Sequence, residues 1–181
     1  MKNFLLNPFL NSVFPFDIQP ASFSTYGENN YVLRRPANVT SIINYIKVDA
    51  VQQTSPDSYV TADSLATLYS AYRATVPAVT PPIGAIIFIS DTSNPENYEG
   101  AEGFATSLKN VGVTLTFVLL GPNVNQNLVN FADNYLTWTD LNQPQPDNWN
   151  TASLTAYACV GISTVPPTTT VATNTTMKPT T

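Results

Sequence analysis

The sequence contains no histidine and a single cysteine in 181 residues. Without histidine, no Ser-His-Asp triad, Cys-His dyad or His-ligated zinc site can be assembled from this chain alone. A lone cysteine, Cys159, excludes an internal disulfide and any cysteine cluster for zinc or iron–sulfur. Charge is also scarce: Asp, Glu, Lys and Arg together make up 10% of the chain, against roughly a quarter in ordinary soluble domains. The seven Lys and Arg form no patch and the net charge is −5, so nucleic-acid binding through a phosphate-contacting surface is not expected. No apolar run approaches the ~18–20 residues needed to span a bilayer, so no membrane span is expected either. Enzymatic readings are left with carboxylates, hydroxyls or a bound cofactor.

Polarity comes instead from Asn, Thr, Ser and Gln, a balance that favours an extracellular chain. The densest information lies in residues 84–121, which read as strand, acidic turn, helix, strand. Residues 85–89 are a continuous apolar run rich in β-branched side chains, as in a strand buried on both faces of a parallel sheet. Ser90, Asp91 and Thr92 follow at its carboxyl end. Residues 100–110 predict a helix with Phe104, Leu108 and Val111 at near-helical spacing, closed by Gly112. Residues 113–120 are a second apolar strand. Strand–helix–strand units of this length build right-handed parallel crossovers, and open sheets of this kind bind ligands outside the carboxyl ends of their strands, where Asp91 falls.

Elsewhere the N-terminus predicts an amphipathic helix with Phe4, Leu5, Leu6, Phe9, Leu10 and Val13 inward, kinked at Pro8. Asn3, Asn7, Pro8 and Asn11 interrupt the apolar stretch, which argues against a signal peptide. Strands are expected at 21–26 and 30–34 around the turn Gly27-Glu28-Asn29. Asn38 is placed to cap a helix to about Lys47 that buries Ile42, Ile43 and Ile46. Thr61 is placed to cap another to about Ala74, burying Leu65, Leu68 and Tyr72. Residues 125–133 predict a short helix, 135–138 a short strand, and 149–160 a last helix packed through Trp149, Leu154 and Tyr157. From Ser163 on, Thr and Pro dominate. Such sequence cannot bury enough surface to offset its ordering entropy, so 162–181 reads as a disordered linker or O-glycosylated stalk. Asn38-Val39-Thr40 and Asn174-Thr175-Thr176 are N-glycosylation acceptors, which makes Asn38 and Asn174 the glycosylation candidates.

The order of these pieces resembles the von Willebrand factor type A (integrin I-like) domain over residues 1–161. The carrying residues are 86–91, ending in Ser90-Asp91; Leu108-Lys109-Asn110-Val111-Gly112-Val113; and 114–121, ending in Gly. Phe23-Ser24-Thr25-Tyr26-Gly27 and 31–34 resemble the family's second and third strands. The resemblance implies a doubly wound, mostly parallel α/β sheet. The family's first strand, central in the sheet and ending in D-x-S-x-S, has no counterpart here, so the expectation is an N-terminally incomplete domain. It also implies a cation site, Mg or Mn in a full-length form, to which Asp91 corresponds as the acidic ligand. Tyr59 falls at the position of a ligating Thr, with Thr61 two residues on. The alternatives from the residues themselves are that Asp91 caps the turn beyond its strand and that Thr61 is an N-cap. Cys159 reads either as a buried small hydrophobe or, by the resemblance, as half of a flanking disulfide whose partner is absent.

The functional expectation is a non-enzymatic, secreted binding or adhesion module with a degenerate metal site, recognising an extracellular protein or glycan. By analogy with nematode-like secreted members, a longer form pairs it with a C-type lectin or other domain. The competing readings are a doubly wound enzyme domain, flavodoxin-like or phosphotransferring through Asp91, and a structural mucin-like spacer. Lys109, at the far end of its helix from Asp91, is poorly placed for phosphotransfer.

Overall fold

The element order is α1 (Lys2–Phe4) running into a π-helical turn at Leu5–Phe9, β1 (Phe23–Thr25), β2 (Val32–Arg34), α2 (Val39–Gln52), α3 (Thr61–Thr75), β3 (Ile83–Ile89), α4 (Ala101–Asn110), β4 (Val113–Leu120), β5 (Asn134–Trp138) and α5 (Trp149–Ala156). A computed structural model of the chain describes residues 1–10, 23–25, 32–34, 38–52, 61–75 and 83–157. Val13, Tyr59, the turn Gly27-Glu28-Asn29, Cys159, Asn174 and the segment 162–181 lie outside the described residues, as does the side chain of Leu154.

The fold is mixed α/β around a three-stranded parallel sheet in the order β3-β4-β5. Ile83 lies opposite Val113 and Ile89 opposite Leu119, so the expected crossover between neighbouring parallel strands is present. β4 continues in parallel register onto β5, with Thr116 opposite Asn134 and Leu120 opposite Trp138. As the middle strand, β4 is buried on both faces, which is why its sequence is apolar without clean alternation. Leu115, Phe117 and Leu119 enter one core with Ala85, Ile87, Ile89, Leu65 of α3, and Ala101, Ala105 and Leu108 of α4. Val118 enters a second core on the other face with Phe4, Leu136, Trp138, Trp149 and Ala156.

That second core is aromatic. Phe4 sits edge-on to Trp138 at 5.1 Å and to Trp149 at 4.9 Å between ring centroids, and Phe9 lies 5.5 Å from Tyr157. Edge-to-face pairs of this kind contribute about 0.5–1.5 kcal/mol each beyond their buried area. The Tyr157 hydroxyl donates to the Phe9 carbonyl at 3.2 Å, tying the N-terminal segment to the end of α5. Buried Thr116 is satisfied there, donating to the Ala156 carbonyl at 3.4 Å. A third cluster seats Ile42 and Ile46 of α2 on Leu10.

The N-terminal helix breaks at Pro8, as expected: Asn7 is extended (φ −164°, ψ 120°) and its bond to Pro8 is cis. Other expectations are corrected. The strand expected at 21–26 spans Phe23–Thr25 and pairs antiparallel with β2 in a separate two-stranded sheet. Phe104 is exposed, because α4 turns the face carrying Ala101, Ala105 and Leu108 into the core. Residues 125–133 form only a 3-10 turn at Gln126–Leu128. Asn125 accepts from the Asn127 amide at 3.0 Å. Asp133 pairs with Leu115 through both its backbone amide and its carboxylate, at 2.9 and 2.8 Å. These local acceptors offer the backbone an alternative to helix.

The outer edge of β5 is closed by side chains. The Thr137 amide donates to Asn148 Oδ1 at 3.2 Å, and Asn148 Nδ2 donates to the Tyr135 carbonyl at 3.1 Å. The Asp147 amide donates to the Thr137 carbonyl at 2.7 Å, while the Asp147 carboxylate accepts from the Thr139 amide at 3.2 Å. Together these occupy the ladder positions a further strand would use.

Candidate functional site

The carboxyl ends of β3, β4 and β5 form the face on which an open parallel sheet offers its ligand site. β3 delivers Asp91 there as the sequence anticipates, but the carboxylate is already engaged. Oδ1 accepts from the Ser93 amide and Oδ2 from the Ser93 hydroxyl, each at 2.8 Å. The Ser93 amide first, and its hydroxyl second, hold the Asp91 carboxyl below the usual Asp range. This is a self-contained Asx turn, the turn-capping alternative for Asp91.

Thr92 is the residue sequence reasoning missed. It is buried, accepts from the Asn125 amide at 2.8 Å and donates to the Asn123 carbonyl at 3.4 Å. One hydroxyl thus laces the loop after β3 to the loop after β4. Asn94 accepts from the Glu96 amide at 3.1 Å and caps the 3-10 turn Pro95–Asn97. Beyond β5, Asp140 accepts from both the backbone and side-chain nitrogens of Asn142 at 2.9 Å, which depress its carboxyl in the same way. The signal for Asp91, Asn94 and Asp140 is legible, since an Asx residue two positions before a Ser, Glu or Asn at a strand exit is a local turn former, whereas the long-range bonds of Thr92 carry no such signal.

Thr61 begins α3 and is buried at 1% exposure, so its hydroxyl is not offered to solvent as an open ligand. Among the described residues no hydrogen bond joins it to Asp91, and no group of three or more His, Cys, Asp or Glu is assembled to hold a metal. Asn38 caps α2, as expected, through Ser41. Lys109 lies at the opposite pole, donating to the Phe131 carbonyl at 3.1 Å beside Asp133 at 3.8 Å. Tyr135, there too, has its hydroxyl pushed up in pKa by burial, while it accepts from the Ala132 amide and donates to the Val129 carbonyl. These groups fasten the amino ends of the strands. They do not face Asp91.

Among the described residues, the carboxyl-end face presents polar turns fixed by their own side chains. Among the described residues no helix is long and apolar enough to cross a membrane. Comparison of the chain with protein-family models, curated proteins and solved structures returns no match.

Proposed function

We propose that the chain is a non-enzymatic extracellular binding module, doubly wound in the manner of a von Willebrand factor type A domain, that engages a protein or glycan through the carboxyl-end loops. The observation that carries this reading is the β3–α4–β4 parallel crossover with Asp91 at the exit of β3, its neighbouring loops pinned by Thr92. Pre-fixed loops lower the ordering cost of recognition. The cation site is degenerate in this chain: both Asp91 oxygens accept from Ser93, which leaves each with a single free lone pair for a cation, and among the described residues no group of three or more His, Cys, Asp or Glu is gathered to hold one. The residual ligand set, Asp91 with Thr61, is poor for the near-octahedral oxygen shell Mg demands. Cysteine Cys159 and the 162–181 stalk fit a secreted context.

The test is a binding array of extracellular-matrix proteins and glycans with the immobilised chain, run with and without EDTA, beside a flavin titration followed by absorbance. Saturable, EDTA-insensitive binding that weakens on substituting Asn94 or Asp140 is expected, with no flavin spectral shift. Stoichiometric flavin binding would instead establish the flavodoxin-like reading.

A further inference from the structure

We propose that Asn38 carries an N-linked glycan while its side chain continues to cap α2. The inference rests on the extracellular reading above. Asn38-Val39-Thr40 is an Asn-x-Thr acceptor, and Asn38 and Thr40 are both exposed. Asn38 Oδ1 accepts from the Ser41 amide at 2.9 Å and from the Ser41 hydroxyl at 3.1 Å. Both bonds use the carbonyl end of the side-chain amide. Nδ2, the atom that receives the sugar, makes no hydrogen bond among the described residues.

The chemistry leaves the cap intact. A bond forms between Nδ2 and the anomeric carbon of a polyprenyl-pyrophosphate-linked oligosaccharide. That carbon's bond to the donor phosphate oxygen breaks, the pyrophosphate departs with the electron pair, and Nδ2 gives up one proton. The product is a secondary amide whose Oδ1 is unchanged, so both bonds to Ser41 persist. The buried side of α2, Ile42 and Ile46 against Leu10, is not involved. A glycan at this position therefore extends from the start of the helix into solvent without competing with packing.

The experiment expresses the full chain behind a cleavable heterologous signal peptide in eukaryotic cells, with peptide mapping before and after enzymatic release of N-glycans. The tryptic peptide 35–47 is expected to carry an oligosaccharide mass, and to hold Asp at position 38 after release. Thr40→Ala should lose the sugar and keep the cap, and Asn38→Asp likewise. Asn38→Ala should lose both and melt below either. An unmodified 35–47 peptide overturns the site. A glycosylated protein melting as low as Asn38→Ala overturns the shared cap. Because the signal peptide imposes the secretory route, neither result depends on where the protein resides in its own cells. Fractionation that places the native protein in the cytosol would separately defeat the extracellular reading.

Discussion

Gly84, in β3, offers a sharp test of how α5 is held to the sheet. A Cβ built on Gly84 would stand 2.8 Å from the Tyr157 carbonyl carbon and 3.0 Å from the carbonyl oxygens of Ala156 and Tyr157. All three are backbone atoms, so no side-chain rotation relieves the clash. The end of α5 must move, and it is held by the Tyr157 hydroxyl on Phe9 and the Thr116 hydroxyl on Ala156. Overpacking of this kind costs about 1–3 kcal/mol. For a domain of this size each kcal/mol lowers Tm by about 2–4 °C, so Gly84→Ala should lower Tm by roughly 2–12 °C. Gly103→Ala is the matched control. Gly103 lies within α4 with nothing within 4 Å of its would-be Cβ. The same added methyl should stabilise there by about 0.5–1 kcal/mol, since alanine is the better helix former. Thermal melts of both variants by circular dichroism decide the matter. A Gly84→Ala protein as stable as its parent would refute the close approach of α5 to β3.

Asn148→Ala removes both side-chain bonds from the edge of β5, with an expected cost of about 1–3 kcal/mol. It should also raise self-association in sedimentation velocity; a variant that stays monomeric at all concentrations would argue against edge protection. Phe4→Ala should cost about 3–5 kcal/mol, whereas Phe104→Gln should stay within about 0.5 kcal/mol, both read from urea midpoints. Equal effects would contradict the placement of the two rings. Because the Asp91 carboxyl is depressed in the folded state, its contribution is present above the unfolded Asp value of ~3.9 and lost as pH falls through the lower folded value. The stability gap between wild type and Asp91→Ala should therefore be constant near neutral pH and narrow as pH falls below the unfolded value of ~3.9, and a gap independent of pH across that fall would sink the assignment. Calorimetry with Mg or Mn should register no micromolar binding; an Asp91-dependent micromolar isotherm would reverse the reading of a degenerate site.

What the sequence discloses is set by how local the responsible physics is. The parallel pair β3–β4 is legible because two β-branched apolar runs separated by one helix have few other ways to bury both faces. Asn38 is legible because a cap involves residues three apart. Phe104 misleads because spacing counts large side chains, while the buried face of α4 is made by Ala101 and Ala105 together with Leu108, the one large residue the spacing placed correctly. The stretch 125–133 misleads because Asn125 and Asp133 spend their side chains on turns and on Leu115 rather than on a helix. Asp91 could be placed at its strand exit from sequence, and its Ser93 partner two residues on was visible too. Thr92 with Asn125 and Asn148 with Tyr135 depend on which loops and edges meet after folding, and no local pattern encodes that.

The bond from Tyr157 to Phe9 spans 148 positions of sequence. During synthesis at about 5–20 residues per second, Phe9 is therefore made roughly 7–30 seconds before Tyr157, the residue that ties it to α5. For most of that interval the rings of Phe4 and Phe9 have neither Trp138, Trp149 nor Tyr157 to pack against. The first core, built from α3 through β4 and Val129, can assemble earlier, because its members lie within 65–129. The second can close only once β5 and α5 have been made. Residues 1–10 are therefore the apolar segment that has to stay shielded longest, until α5 arrives to cover Phe4 and Phe9.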